Sequence, residues 1–217
     1  MIGYYNVSVI LTYLGLTSAI IGMFQSFEGH FKIAVLCLML SGVCDMFDGT
    51  IARRCKRNDD EKSFGIQIDS LCDLICFGAF PAVIIFNFCK FHGADSFNFW
   101  LTTFCLAAYV LAAVIRLGYF NVSELNRTAK ETGKREFYEG LPVTSISLIL
   151  PFFLVLDLFI TKNFLVRFYN IGLLIIGLLF VSRIKIKKPY FKGLFLVALI
   201  GAILFTLILI FGGQFNA

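Results

Sequence analysis

The stretch DMFDGTIARRCKRNDDEKSFGIQIDSLCD, which runs from Asp45 to Asp73, is the polar interval between two long apolar runs of this chain. It holds aspartates at positions 45, 48, 69 and 73. The chain of 217 residues is 59% hydrophobic and only 15% charged, whereas about 25% of the residues in soluble proteins are charged. Its apolar runs are long enough to cross a bilayer, which takes roughly 20 residues for each helix. The sequence therefore predicts an all-α fold, a polytopic helical bundle in a membrane.

Seven membrane spans are predicted around this interval, and the lengths of the apolar runs allow a count of six to eight. The spans lie near 5–25, 30–52, 66–90, 97–120, 140–161, 164–182 and 190–212. No low-complexity linker separates them, so we expect a single membrane domain over 1–217 with a polar cavity at one end.

The basic residues predict the orientation of the bundle. Most of the 19 Lys and Arg fall in three polar breaks between spans. These are Arg53, Arg54, Lys56, Arg57 and Lys62; Arg116, Arg127, Lys130, Lys134 and Arg135; and Arg183, Lys185, Lys187, Lys188 and Lys192. Because Lys and Arg favour cytoplasmic loops, we expect these breaks and the N-terminus to face the cytoplasm of a cell membrane. The net charge of +5 then reflects topology, and we expect no nucleic-acid partner.

Helical spacing predicts that the four aspartates converge. Asp45 and Asp48 are three residues apart and Asp69 and Asp73 are four apart, so each pair shares one helix face. The short loop between the two helices makes them antiparallel neighbours. Carboxylates this close repel one another, and a divalent cation would relieve the repulsion. Hard cations such as Mg²⁺ bind carboxylate oxygens and often bridge them to phosphates.

Small residues and an arginine accompany the aspartates. Gly49 and Ala52 follow on the same helix as the first pair, and Gly65 precedes the second pair by one turn. Glycine destabilises a helix, so its position here indicates a ligand that approaches the backbone closely. Arg53 supplies a fork of donors suited to phosphate. The alternative is a set of ordinary interfacial acids paired with basic neighbours, which accounts less well for two pairs at helical spacing. The sequence therefore predicts a metal–diphosphate site at the membrane surface.

This pattern resembles the signature of the CDP-alcohol phosphotransferases. It reads Asp45-x₂-Asp48-Gly49-x₂-Ala52-Arg53, then Gly65-x₃-Asp69-x₃-Asp73. The resemblance implies that an alcohol attacks the β-phosphorus of a CDP-alcohol and that CMP leaves. It implies that two divalent ions, Mg²⁺ or Mn²⁺, are held by the four aspartates and that Asp73 is also the general base. The CDP-binding residues that it implies are Asp45, Asp48, Gly49, Ala52, Arg53, Gly65 and Asp69.

A second block, over 115–143, resembles the integral-membrane phosphatidylserine synthases of this family. It comprises IRLGYFNV (115–122) and FYEGLPV (137–143), with Gly118 and Tyr119 where the family carries a small residue and a second Arg. This resemblance implies CDP-diacylglycerol as donor, L-serine as acceptor, contact with membrane lipids and a homodimer.

Three residues of this block are candidates for binding serine. Arg116 could hold the carboxylate of serine, and Asn121 and Glu139 could hold the ammonium group. The alternatives are that Arg116 is an interfacial anchor whose head reaches water and that Glu139 is a helix N-terminal acid favoured by the helix dipole.

Other functions remain open from the sequence. The same chemistry could use glycerol 3-phosphate or inositol phosphate as acceptor, or a CDP donor built on an ether lipid. A cation transporter of another class would need polar residues across the depth of the membrane. The apolar run LICFGAFPAVIIF that follows Asp73 disfavours that alternative.

Overall fold

The computed structural model describes residues 3, 7–55, 57–93, 98–130, 137–160, 168–187 and 191–216. Its helices are α1 Val7–Phe27, α2 Phe31–Arg54, α3 Asp59–Asp73, α4 Phe80–His92, α5 Phe99–Lys130, α6 Ile146–Ile160, α7 Tyr169–Val181 and α8 Phe191–Phe211. A π-helical turn, Leu74–Ala79, joins α3 to α4, so 59–92 is one continuous rod. The described residues therefore form seven helical rods.

Several of these rods are long and apolar enough to cross a membrane. By length and composition the spanning candidates are Val9–Phe27, Asp59–His92, Phe99–Ser123 and Phe195–Phe215, and α6 and α7 are shorter apolar helices. Helix α2 has 24 residues, a length of about 36 Å at 1.5 Å for each residue. The prediction of an all-α membrane bundle is confirmed, and the protein is an integral membrane protein.

The third rod begins earlier than the predicted span at 66–90 because its first turn is capped. The Asn58 side chain accepts a hydrogen bond from the Glu61 backbone N–H at 2.7 Å, and the Glu61 carboxylate accepts one from the Asn58 N–H at 2.9 Å. Acidic residues in the first turn, Asp59 and Asp60 among them, favour a helix N-terminus. Residues 59–65 of the charged segment expected as a loop are therefore the start of α3.

A short β-ribbon departs from the predicted helical pattern. Strand β1, Phe137–Glu139, pairs antiparallel with strand β2, Lys185–Lys187. The next residue, Gly140, has φ +75°, and a Cβ there would lie 2.6 Å from the Phe180 carbonyl oxygen. Its N–H donates to the Ile184 carbonyl at 2.8 Å. The segment before α6 is thus seated on the end of α7, and α6 begins at Ile146 rather than near 140.

The π-helical turn lies directly after Asp73 and is braced by a neighbouring helix. Pro81 has no N–H, so the Phe77 carbonyl four residues earlier receives no helical hydrogen bond from it. The buried Tyr109 hydroxyl of α5 donates to that carbonyl at 2.5 Å. Helix α5 therefore holds in place the backbone that directly follows Asp73.

Candidate metal centre

Three carboxylates meet where the end of α2 passes the end of α3. Asp45, Asp48 and Asp69 each offer one oxygen, and these oxygens all lie within 4.8 Å of one another. Opposite oxygens around Mg²⁺ are about 4.2 Å apart, twice the usual bond length, and those around Ca²⁺ about 5 Å. A set of carboxylate oxygens at this spacing suits a hard divalent cation. The cluster could therefore hold a metal ion.

The fourth aspartate completes two pairs across the helices. The carboxyl of Asp73 lies within hydrogen-bonding reach of Asp45, and that of Asp69 within reach of Asp48. This is the arrangement expected for antiparallel helices, in which the first acid of one helix meets the last acid of the other. A cation among them would relieve the repulsion between the four charges. We call the end of the bundle that carries these residues the aspartate end.

A residue of α1, which sequence reasoning missed, contacts this cluster. The Thr12 hydroxyl donates to Oδ2 of Asp48 at 2.9 Å. Asp48 is only 7% exposed, the most enclosed of the three clustered carboxylates. The small residues spaced along α1 indicate that this helix packs closely against another one. They do not indicate which residue Thr12 contacts.

The small residues of the predicted CDP pocket differ in their surroundings. A Cβ built on Gly49 would meet no atom within 4 Å, so this face of α2 is open to a ligand. A Cβ on Gly65 would lie 3.1 Å from Nη1 of Arg57, so a guanidinium already lies against that helix. Ala52 is half-buried on α2, and the side chain of Arg53 lies outside the described part of the chain. The roles predicted for these residues in binding CDP remain predictions.

Arg116 is buried against the segment that precedes α6. Its side chain is 6% exposed, and Nε donates to the Leu141 carbonyl at 3.3 Å. The guanidinium also lies 5.4 Å from the centre of the Phe120 ring. This burial disfavours the alternative in which Arg116 is an anchor that reaches water.

The other two acceptor candidates contact different elements. The Asn121 amide donates to Ser70 Oγ at 2.8 Å, and Ser70 directly follows Asp69. Glu139 lies in β1 and accepts a hydrogen bond from the Tyr119 hydroxyl at 2.7 Å. Its place in a strand contradicts the alternative of a helix N-terminal acid. Asn121 is thus joined to the aspartate end, whereas Arg116 and Glu139 are joined to the segment around the β-ribbon.

Curated proteins resemble a large part of this chain. The CDP-diacylglycerol–serine O-phosphatidyltransferase of Saccharomyces cerevisiae is 36% identical over 125 residues, which are 56% of this chain and 41% of the yeast protein. The archaetidylserine synthase of Methanothermobacter thermautotrophicus is 30% identical over 134 residues, 62% of this chain and 51% of that protein. The CDP-diacylglycerol–serine O-phosphatidyltransferase of Helicobacter pylori is 28% identical over 183 residues, 81% of this chain and 70% of that protein.

The chain spans about half the length of the first two of these relatives. A family model described as CDP-alcohol phosphatidyltransferase matches residues 5–182, which include α1 to α7, the four aspartates and the three acceptor candidates. The chain belongs to the CDP-alcohol phosphatidyltransferase family.

Proposed function

We propose that this protein makes a phospholipid by transferring the phosphatidyl group of CDP-diacylglycerol to the hydroxyl of L-serine, with release of CMP. The observation that carries the proposal is the convergence of Asp45, Asp48 and Asp69, on helix α2 and on the rod 59–92, in a family member. A lipid donor keeps its acyl chains in the bilayer while its CDP group must meet a water-soluble acceptor. A polar pocket at the end of membrane helices meets both requirements.

The cofactor in this proposal is a pair of divalent ions, Mg²⁺ or Mn²⁺, held by the four aspartates. When bound, they would neutralise the diphosphate of the donor and the charge that develops on CMP. Carboxylate oxygens are the ligands that such hard cations prefer. The proximity of the aspartates supports this assignment.

The chain's own residues would bind the donor and move one proton. Gly49, Ala52, Arg53 and Gly65 would line the CDP pocket, and the open space beside Gly49 supports such a role. Asp73 would accept the hydroxyl proton of serine as the serine oxygen attacks the β-phosphorus. The bond from that phosphorus to the oxygen shared with the α-phosphate breaks, and CMP leaves with the electron pair.

The choice of serine rests on the acceptor-side residues and on the relatives. The names of all three relatives above include serine, and only the archaetidylserine synthase differs from the other two in the lipid part. Arg116 would hold the carboxylate of serine, and Asn121 and Glu139 would serve its ammonium group. The archaetidylserine synthase favours one alternative, the same reaction with a CDP donor built on an ether lipid. Glycerol 3-phosphate and inositol phosphate are acceptors that the experiment below must exclude.

The orientation of the site in the membrane is also part of the proposal. Residues 1–217 would act as one membrane domain, with the N-terminus and the aspartate end on the cytoplasmic side of the cell membrane. Arg54 and Arg57 beside this end support that orientation, because basic residues favour the cytoplasmic side. A homodimer is proposed on the family resemblance alone.

The experiment measures CMP release by the purified full chain with Mg²⁺ or Mn²⁺. CDP-diacylglycerol and its ether-lipid analogue are each tested with L-serine, glycerol 3-phosphate, inositol phosphate or no acceptor. We expect release only with serine, and loss of release in Asp73→Asn. The matched control is Asp59→Asn, because Asp59 lies on the same helix but is exposed and pairs with Lys62 at 2.9 Å.

Each other outcome contradicts a defined part of the proposal. Release with a phosphorylated acceptor would overturn the assignment of serine, and release with the ether-lipid donor alone would overturn the assignment of the donor. Folded protein that releases no CMP under any of these conditions would overturn the proposed activity.

A further inference from the structure

Helices α1 and α2 pack closely through a seam of small residues. The Ser41 hydroxyl donates to the Gly15 carbonyl at 2.8 Å, and the Ser18 hydroxyl donates to the Cys37 carbonyl at 3.0 Å. A Cβ on Gly15 would lie 3.2 Å from the Cβ of Cys44. Small residues let helix backbones approach in a membrane, and hydroxyl groups then bond across the interface. These contacts hold the two helices in one register.

The same seam continues to the metal centre at Thr12. Thr12 lies one turn before Gly15 on α1, and Asp48 lies one turn after Cys44 on α2. The Thr12 hydroxyl therefore faces the Asp48 carboxylate, to which it donates at 2.9 Å.

Thr17, on the same helix, forms a hydrogen bond within α1 and not to another helix. Its hydroxyl donates within α1, to the Tyr13 carbonyl at 2.8 Å. This is the local bond that threonine in a helix commonly forms. The Thr12 hydroxyl instead reaches a different helix and an acid of the metal centre. The difference makes Thr12 a candidate for more than helix packing.

We propose that Thr12 is a positioning residue that orients Asp48 for the metal ion. This inference rests on the metal site of the proposed function. A carboxylate has two oxygens and about four acceptor positions. One hydrogen bond to Oδ2 restricts its rotation and leaves the remaining positions for a cation. The hydroxyl dipole also stabilises the charge of a carboxylate that lies beside Asp45 and Asp69.

Helix α1 would in this way contribute to a site whose ligands all belong to α2 and α3. Groups that hydrogen-bond to metal ligands commonly change metal affinity by about 10- to 100-fold when they are removed. A residue that served only to pack α1 against α2 would change stability and leave metal affinity as it was. The two roles can therefore be separated by measuring binding and stability in the same variants.

The experiment measures Mn²⁺ binding to the full chain in detergent micelles, by the electron paramagnetic resonance signal of free Mn²⁺. Thr12→Val keeps the shape of the side chain and removes the hydroxyl, and Thr12→Ala is a second variant that cannot introduce a clash. Thr12→Ser restores the donor. Thr17→Val is the matched control, because it removes a hydroxyl from the same helix without touching the aspartates. The melting temperature without metal is recorded for all four variants.

We expect the Kd for Mn²⁺ to rise about 10- to 100-fold in Thr12→Val and Thr12→Ala. Thr12→Ser and Thr17→Val should bind as the wild-type protein does. Wild-type affinity in the folded Thr12→Val or Thr12→Ala protein would overturn the role of Thr12 and leave the metal site intact. A wild-type protein that binds no Mn²⁺ would overturn the metal site itself, so the two failures are distinguishable.

Discussion

The two ends of the bundle both contain polar side chains, but their chemistry differs. At the end opposite the aspartates, the Asn87 amide donates to Ser26 Oγ and the Asn170 amide to Thr102 Oγ1, each at 2.9 Å. These are neutral pairs in which a donor meets an acceptor. At the aspartate end, four carboxyl groups face one another, and each one that ionises can only accept hydrogen bonds. The first arrangement is complete by itself, whereas the second would be stabilised by a bound cation.

This difference separates polar residues that hold helices together from those that bind a ligand. Hydrogen bonds between membrane helices contribute modestly, on average about 0.6 kcal/mol each. Four neighbouring carboxylates repel one another when they ionise, and a bound cation would relieve this repulsion. Changes at the aspartate end should therefore affect activity and metal response, and changes at the opposite end should affect stability alone.

The largest effect is expected from Asp69→Asn. The amide keeps the size of the side chain but removes a charge and one carboxylate oxygen from the cluster. We expect CMP release to fall at least about 100-fold, the upper end of what the loss of an outer-shell partner costs. The free energy of unfolding without metal should stay constant or rise, because one repelling charge is gone.

Both quantities are measured on the same preparation, by CMP release and by unfolding in detergent. Asp60→Asn is a suitable control, since Asp60 is an exposed acid in the first turn of the same helix. An Asp69→Asn protein with nearly wild-type activity would remove Asp69 from the metal site.

A second effect is expected from removing the metal. Mg²⁺ or Mn²⁺ at 100 times its Kd should stabilise the folded protein by about 2.7 kcal/mol, because it binds the folded state. A chelator should reverse this gain and stop CMP release. Thermal unfolding with and without the ion measures the change. Asp69→Asn should lose most of the stabilisation, and an equal gain in that variant would show that the ion binds elsewhere.

The residues of the aspartate end could be predicted because their placement depends only on spacings between nearby residues in the sequence. Spacings of three and four residues specify a helix face whatever the surrounding fold. A short connection then makes the two helices neighbours. The convergence of Asp45, Asp48 and Asp69 follows from these two facts, and the structure contains it.

Other features could not be predicted, because they depend on contacts between distant segments. The partner of Thr12 follows from the register of α1 against α2, which no single helix specifies. The β-ribbon requires Gly140 to rest on the end of α7, about 40 residues later in the chain. The sequence offered Arg116 as a serine-binding candidate or as an interfacial anchor. Its burial, which disfavours the anchor, depends on the segment at Leu141 that covers it.

The smallest effect is expected from Asn87→Ala at the end opposite the aspartates. Asn87 and Ser26 are buried, and the variant removes the donor of their hydrogen bond. We expect a loss of about 0.6 to 1.7 kcal/mol in the free energy of unfolding, which are the average and the largest values found for such bonds between membrane helices. CMP release and the stabilisation by metal should stay at wild-type values.

Ser26→Ala and the double variant complete the test of this pair. If the hydrogen bond accounts for the loss, the second substitution adds less to the first than it costs alone. A fall in CMP release comparable to that of Asp69→Asn would contradict the separation of the two ends. In that case the far-end pairs would contribute to the geometry of the aspartates through α4, which continues the rod that carries Asp69 and Asp73.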